Sequence, residues 1–277
     1  MKKQLILLTV ILLLITLGGC NNKVPEDMVL IKGGVIKNTN SNYYRLEEKL
    51  TSFYIGKYEV TQKEWIEVMG SNPSAFIGDN LPVEMISWYD AILYCNKRSL
   101  KEGLKPYYNI DMNTIDKSNI SEYDTIKWTV TTNNNANGYR LPTEIEWEYA
   151  ASGGQLSQNY TYSGSNDIEE VAWYWRNAGD EYITGDWSWS LIENNKNRTQ
   201  NVGIKKANEL GLFDMSGNVR EWCYDWYQDS NIASGMQRVW KGGGWIGDAN
   251  SSEFSYKGKF EANGIGADQG FRVCRNK

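Results

Sequence analysis

Two long stretches of this sequence, residues 104 to 137 and 153 to 210, show neither the period of an amphipathic helix nor the alternation of a half-buried strand. Loops longer than about 15 residues are uncommon in compact domains, so the fold must contain a device that orders them. The composition offers one, because 12 Trp and 18 Tyr stand against 6 Phe. Indole and phenol rings fill gaps with an apolar body while the polar tip bonds loop backbone. No Pro/Ser-rich linker and no charge block divides residues 28 to 277, which are therefore expected to form one domain.

Three places carry helix-start chemistry, in which a hydroxyl and an acid three residues later satisfy free backbone N–H groups. They are Thr61 with Glu64, Ser87 with Asp90, and Thr143 with Glu146. The first helix is expected to bury Trp65, Val68 and Met69 and stop at Gly70. The second should bury Trp88, Ala91, Ile92 and Cys95 and end before Gly103. The third should run from Glu144 to Ala151 and stop at Gly153 and Gly154. Short strands are expected at Met28 to Ile31, Ser52 to Tyr58, Thr125 to Thr131, Arg238 to Lys241 and Gly270 to Cys274. The sum is an α+β fold with few helices, small sheets and long loops.

Lys2 and Lys3 precede an apolar run from Leu5 to Leu17, followed by Gly18, Gly19 and Cys20. This is the layout of a secretory signal, too short to span a bilayer comfortably. Leu17-Gly-Gly-Cys20 resembles a bacterial lipobox. Residues 1–19 are then a lipoprotein signal peptide, Cys20 the lipidated first residue, and 20–27 a polar tether. The protein is expected outside the cytoplasm, anchored by lipid to the cell membrane or outer membrane.

The chain has no histidine, which removes Ser-His-Asp and Cys-His catalysis and every His-ligated metal site. With 29 Lys+Arg against 34 Asp+Glu, its net charge of -5 argues against a nucleic-acid partner.

The run Gly138-Tyr-Arg-Leu-Pro-Thr-Glu-Ile-Glu-Trp-Glu-Tyr-Ala150 closely resembles a motif of the formylglycine-generating enzyme family, also called the sulfatase-modifying factor domain. The resemblance continues through Thr51 to Thr61, Pro82-Val83 with Ser87-Trp88, Gly211 to Trp222, Gly242-Gly-Gly-Trp245 and Gly270-Phe-Arg272, covering nearly all of 28–277. It implies a fold similar to C-type lectins. In the Arg140 to Tyr149 block nothing is a nucleophile or an acid/base pair, so Arg140 and Glu146 read as framework.

Asp214, Gly217, Val219 and Glu221 fall where this family holds a calcium ion, which implies one ion here; the alternative is that the two acids pair with Arg220 or Arg272. The family's copper-binding cysteine pair, which oxidises a target cysteine, corresponds to Gly247 and Ser252. Residues 224 to 273 contain no cysteine, and soft Cu(I) needs thiolates, so copper is not expected. A sister branch uses His-bound iron, which a chain without histidine cannot hold. Asp248 with Glu253 or Asp268 would be the acid pairs for hydrolysis, although surface acids are usually only solvated. The family's secreted animal members bridge the Cys95 position to the last strand, which implies Cys95 to Cys274, with Cys223 to Cys274 as the alternative. Cys274 sits one residue late for that match, a shift that turns a side chain to the other strand face.

The segment Trp245 to Tyr256 occupies the family's substrate face, and it resembles the place where retroelement-diversified members carry variable ligand-binding residues. Trp245, Ile246, Asp248, Asn250, Ser252, Phe254 and Tyr256 are the expected ligand-binding residues, since aromatic, Asn and Ser side chains make adaptable contact surfaces. Two functions follow: a tethered module without the catalytic pair that binds an extracytoplasmic protein or glycan, or a formylglycine-generating oxidase acting on a sulfatase cysteine. Metabolic labelling with a fatty acid is expected to mark the protein, and Cys20→Ser to abolish the label and release the chain from the membrane fraction. Label retained by the variant would refute the anchor.

Overall fold

The computed structural model describes residues 26–47 and 49–277; the expected signal peptide, Cys20 and most of the expected tether lie outside them. Among the described residues, no helix is long and apolar enough to cross a membrane. Strand β1 (Met28–Ile31) pairs antiparallel with β2 (Phe53–Gly56). Helices α1 (Gln62–Met69) and α2 (Trp88–Lys101) follow, then the antiparallel ribbon β3 (Tyr108–Ile115) and β4 (Trp128–Thr132). Next come β5 (Tyr139–Arg140), α3 (Glu144–Ala151) and the short helices α4 (Ile168–Val171) and α5 (Trp189–Asn194). The chain ends with β6 (Arg220–Trp226), β7 (Arg238–Lys241), β8 (Gly258–Phe260), β9 (Gln269–Gly270) and β10 (Cys274–Asn276).

The strands form one sheet in the order β1-β2-β10-β5 and another in the order β8-β7-β6-β9, with the β3-β4 ribbon apart. All three expected helices begin where the caps place them. Thr61, Ser87 and Thr143 each accept from the backbone N–H three residues on, and Glu64, Asp90 and Glu146 reach back to the cap. Gly70 closes α1 in the left-handed region at φ 89°, which glycine adopts without strain. Trp65 is buried, whereas Val68 and Met69 stay half-exposed because α1 is short and one-sided.

The expected strand Gly270 to Cys274 is instead two short strands in different sheets. Phe271, Arg272 and Val273 cross between β9 and β10 and lock the sheets together. Residues 104 to 137, read as lacking helical or strand period apart from the expected strand Thr125 to Thr131, contain the ribbon: β4 overlaps that expectation, and β3 is not among the expected strands, although Tyr108, Ile110 and Met112 alternate with polar residues over five positions. The ring tips do bond distant backbone. Trp88 Nε1 donates to the Cys223 carbonyl at 3.0 Å, Trp222 Nε1 to Ile86 at 3.1 Å and Tyr149 OH to Lys32 at 2.9 Å. Asparagines add a second set of ties: Asn208 Nδ2 donates to the Ala150 carbonyl at 2.9 Å and Asn197 Nδ2 to Trp175 at 2.6 Å.

The core divides in two. One part gathers α1 and α2 with Trp222 and Phe271; the other surrounds Trp147 of α3 with Ile55, Cys223 and Phe254. Val273 belongs to the first and Cys274 to the second, as alternation along a strand requires. Cys95 lies with Val273. This corrects the implied Cys95–Cys274 bridge: the two thiols face different core compartments, and Cys95, Cys223 and Cys274 are all buried and free. Burial pushes all three thiols well above the ordinary thiol range.

Lys241 and Glu148 form a fully buried ion pair at 2.8 Å, and Glu148 also accepts from Ser41 Oγ at 2.6 Å and the Asn42 amide at 2.8 Å. Lys241→Met is expected to destabilise by about 3–5 kcal/mol, because it leaves a carboxylate buried without its cation. Adding Glu148→Gln should recover part of that loss in denaturant titrations.

Candidate functional site

A cleft of about 380 Å³ opens where β7 leaves its sheet. Gly242 and Gly243 turn the chain at φ 88° and 71°, and a Cβ at Gly243 would lie 2.8 Å from the Ser251 carbonyl oxygen. Glycine is therefore required for the tight approach of the Asn250–Ser252 turn. Trp240 forms one wall. Trp187 forms another, 48% exposed, with its Nε1 donating to the Ile246 carbonyl at 3.0 Å. Gly243, Gly244 and Gly247 contribute the floor, beside the ion pair of Arg220 with Asp268. The Arg220 guanidinium sits 5.0 Å from the Trp240 ring centroid. Arg220 Nε and Trp240 Nε1 have no hydrogen-bond partner among the described residues. Both of these atoms are closed off from solvent, so what the cleft offers a ligand is the apolar surface of its aromatic walls beside the polar rim of Arg220 and Asp248.

The expected ligand-binding residues divide between cleft and core. Ile246 and Asp248 line the cleft, Asn250 is exposed, and Tyr256 is exposed and packs on Trp240 at 5.6 Å. Trp245, Ser252 and Phe254 are buried, which corrects their reading as contact residues. Trp245 packs edge-on against Phe76 at 5.5 Å and donates from Nε1 to the Ala267 carbonyl at 2.8 Å. Phe254 fills the Trp147 side of the core, and Ser252 Oγ donates to the Asp248 carbonyl at 3.2 Å. Alanine at Trp245 or Phe254 would cost stability, about 3–5 kcal/mol each, and would not isolate binding. Sequence reasoning missed Trp187, Arg220 and Trp240, which reach the cleft from three separate segments. Asp268 was noted only as half of an acid pair; its ion pair with Arg220 removes it from that role.

Gly247 and Ser252 flank the turn under the cleft. A Cβ on Gly247 would meet Ser251 Oγ at 2.5 Å, so a cysteine there would displace the hydroxyl now bonded to the Asp248 carbonyl at 2.8 Å.

The two acids matched to a calcium site already have protein partners. Glu221 accepts from Arg272 Nε and Nη2, both at 2.6 Å, and from Trp147 Nε1 at 2.6 Å. Val219 turns its amide to Glu59 Oε1 at 3.0 Å, and the Gly217 amide donates to the Gly242 carbonyl at 2.7 Å. Asp214 Oδ2 accepts from the Gly203 amide at 2.6 Å, leaving only Oδ1 without a partner. Among the described residues no group of three or more Asp, Glu, Cys or His is placed to hold a metal ion. Of the two readings for Glu221, pairing with Arg272 is the one whose geometry is present. Burial and the nearby Glu221 push Asp214 up to about 6, against the Gly203 hydrogen bond and Arg272. Burial, with Asp214 and Glu221 beside it, also raises Glu59 well above the carboxylate range.

Fold and cleft together define a mixed α+β scaffold of the formylglycine-generating-enzyme type. The chain belongs to the family described as "Sulfatase-modifying factor enzyme 1-like domain", which matches residues 18–277. It is 58% identical over 281 residues to a "Chaperone protein LppX" of Paenibacillus barcinonensis, covering all of both chains. A formylglycine-generating enzyme of Streptomyces coelicolor is 32% identical over 131 residues, 39% of this chain and 37% of that enzyme. The solved structure of Treponema denticola variable protein 1 superposes with a TM-score of 0.70 at 32% identity, covering 89% of this chain and 95% of that one.

Asp214 yields a pH prediction. A carboxyl raised in the folded state takes up its proton there first, so its contribution to stability grows as pH falls through about 6 and is lost as pH rises through it. Asp214→Asn should therefore melt higher than wild type at pH 7, with the difference narrowing toward pH 5. Chelator is expected to leave the wild-type melt unchanged. A melting point that falls on chelation, recovers with Ca²⁺ and loses that response in Asp214→Asn would restore the calcium reading.

Proposed function

We propose that the protein is a lipid-anchored extracytoplasmic module that uses the Trp187–Trp240 cleft to hold a polypeptide, without thiol oxidation. The observation that carries this reading is the cleft itself. It has aromatic walls, the charged side chains of Arg220 and Asp248 at its rim, and Gly247 and Ser252 where the oxidase chemistry needs two thiols. The chaperone name of the 58% identical relative favours a polypeptide over a glycan as the ligand. The anchor rests on Leu17-Gly-Gly-Cys20, and the tether would hold the cleft near the membrane, where exported chains emerge unfolded.

The test is suppression of aggregation of a denatured secreted hydrolase diluted into buffer with the purified protein. Wild type is expected to slow aggregation, and Trp187→Ala, which alters a half-exposed ring, to weaken client affinity by about 2 kcal/mol while leaving the melting temperature in place. Protection unaffected by the variant would remove the cleft from the function. Glycan-array binding without client protection would favour the glycan alternative. Conversion of a sulfatase peptide's cysteine to formylglycine by the copper-supplied protein, read by mass spectrometry, would replace this reading with the oxidase.

A further inference from the structure

A second cleft, of about 520 Å³, lies between the ribbon strand β4 and the far end of β6, away from the Trp187 wall. At its base is Arg238, only 5% exposed, with its guanidinium 3.8 Å from the Trp88 ring centroid and 3.5 Å from that of Trp226. Nη1 donates to the Tyr224 carbonyl at 2.7 Å, and Nε has no partner. Among the described residues no carboxylate pairs with Arg238, in contrast to the buried Arg272 and Lys241. Burial accordingly depresses Arg238 to about 10, well short of losing its charge at neutral pH. A buried cation ordinarily has an anion beside it. Here the fold supplies rings, one carbonyl and the charges of Asp116 and Asp225, neither bonded to Arg238, seals Nε from solvent, and leaves Nη2 as the donor free for the open cleft.

We propose that this cleft binds the C-terminal carboxylate of an extended peptide, with Arg238 taking the carboxylate and the outer edge of β4 pairing with the peptide backbone. Three observations narrow the ligand. Arg238 Nη2, the nitrogen of the guanidinium neither bonded to a carbonyl nor closed off from solvent, is the donor a carboxylate can reach. Asp116 and Asp225 also line the cleft. Asp225 Oδ2 is taken by the Glu144 amide at 2.6 Å, and Asp116 Oδ1 by the Ser118 amide and hydroxyl at 2.8 and 2.7 Å. Their charges repel a dianion such as phosphate more than a monoanion. Finally, the consecutive residues Thr129, Val130 and Thr131 line the cleft, and β4 pairs only with β3, so its other edge offers unpaired backbone groups in a row. Strand addition beside a captured terminus uses both features at once. The site is separate from the Trp187 cleft, and the inference stands or falls independently of the function proposed there.

The experiment titrates the full chain with a short valine, serine and threonine peptide bearing a free C-terminus, followed by calorimetry and by the fluorescence of the tryptophans flanking Arg238. The free acid should bind. Its C-terminal amide and a backbone N-methylated version should each bind at least about tenfold more weakly. Arg238→Met, which removes the charge and keeps much of the bulk, should show a similar loss for the free acid and little discrimination between acid and amide. Because Arg238 is packed between two rings that variant can misfold, and the comparison of acid, amide and N-methyl peptides on wild-type protein decides the matter alone. Equal binding of acid and amide would overturn the carboxylate contact. Undiminished binding of the N-methyl peptide would overturn strand pairing. Glucuronate binding as tightly as the peptide, or displacement of the peptide by inorganic phosphate, would show a general anion pocket and end the proposal.

Discussion

The buried pair of Arg272 and Glu221 is the contact on which most of the architecture converges. Both side chains are fully buried, and two hydrogen bonds of 2.6 Å join them in parallel. The same guanidinium donates to the Gly56 carbonyl at the end of β2 and to the Phe213 carbonyl, both at 3.0 Å, while Trp147 of α3 donates to Glu221. One ion pair thus joins both four-stranded sheets, a helix and the Gly211 to Trp222 turn. Such a pair is stable only when nearly every donor and acceptor is satisfied, and these almost all are. Asp214 and Glu59 stand around it as surplus acids, which is why burial raises both.

Around that centre the protein holds long loops without regular structure. Tyr174, Trp175, Ile183, Ile192 and Trp245 form a small apolar cluster under residues 173–192, so this loop carries its own fragment of core. Asn195 and Asn197 then bond the surrounding backbone. The cleft thus sets a loop wall, Trp187, against Trp240 and Arg220 on strands β7 and β6, an arrangement in which the loop chemistry can vary while the frame stays fixed.

What was legible in the sequence was local. The caps at Thr61, Ser87 and Thr143 located three helix starts because each is settled within four residues. The alternation of a strand placed Cys274 on the opposite face from Val273. Resemblance to the family placed the substrate-face loop at Trp245 to Tyr256, yet not which of its rings face outward. That depends on the left-handed turn at Gly242 and Gly243 and on Ala267, whose carbonyl draws the Trp245 indole inward. Trp187, Arg220 and Trp240 meet only in the folded chain, and no spacing in one dimension announces them. Half of the ribbon was legible, since Trp128 and Val130 alternate with threonines, whereas the short alternation of Tyr108, Ile110 and Met112 in β3 was overlooked within a polar stretch.

The position of β10 has a consequence for the order of events during folding. It lies between β2 and β5, with Cys274 opposite Ile55 on one side and Arg140 on the other. Arg272 and Gly56, joined by a hydrogen bond, are 216 positions apart. Until those later residues dock, β2 has one free edge and Glu221 has no cation. The incompletely folded chain is thus an open sheet carrying a buried-to-be acid, and contacts of such long sequence separation close slowly. Completion waits on one short segment that joins both sheets.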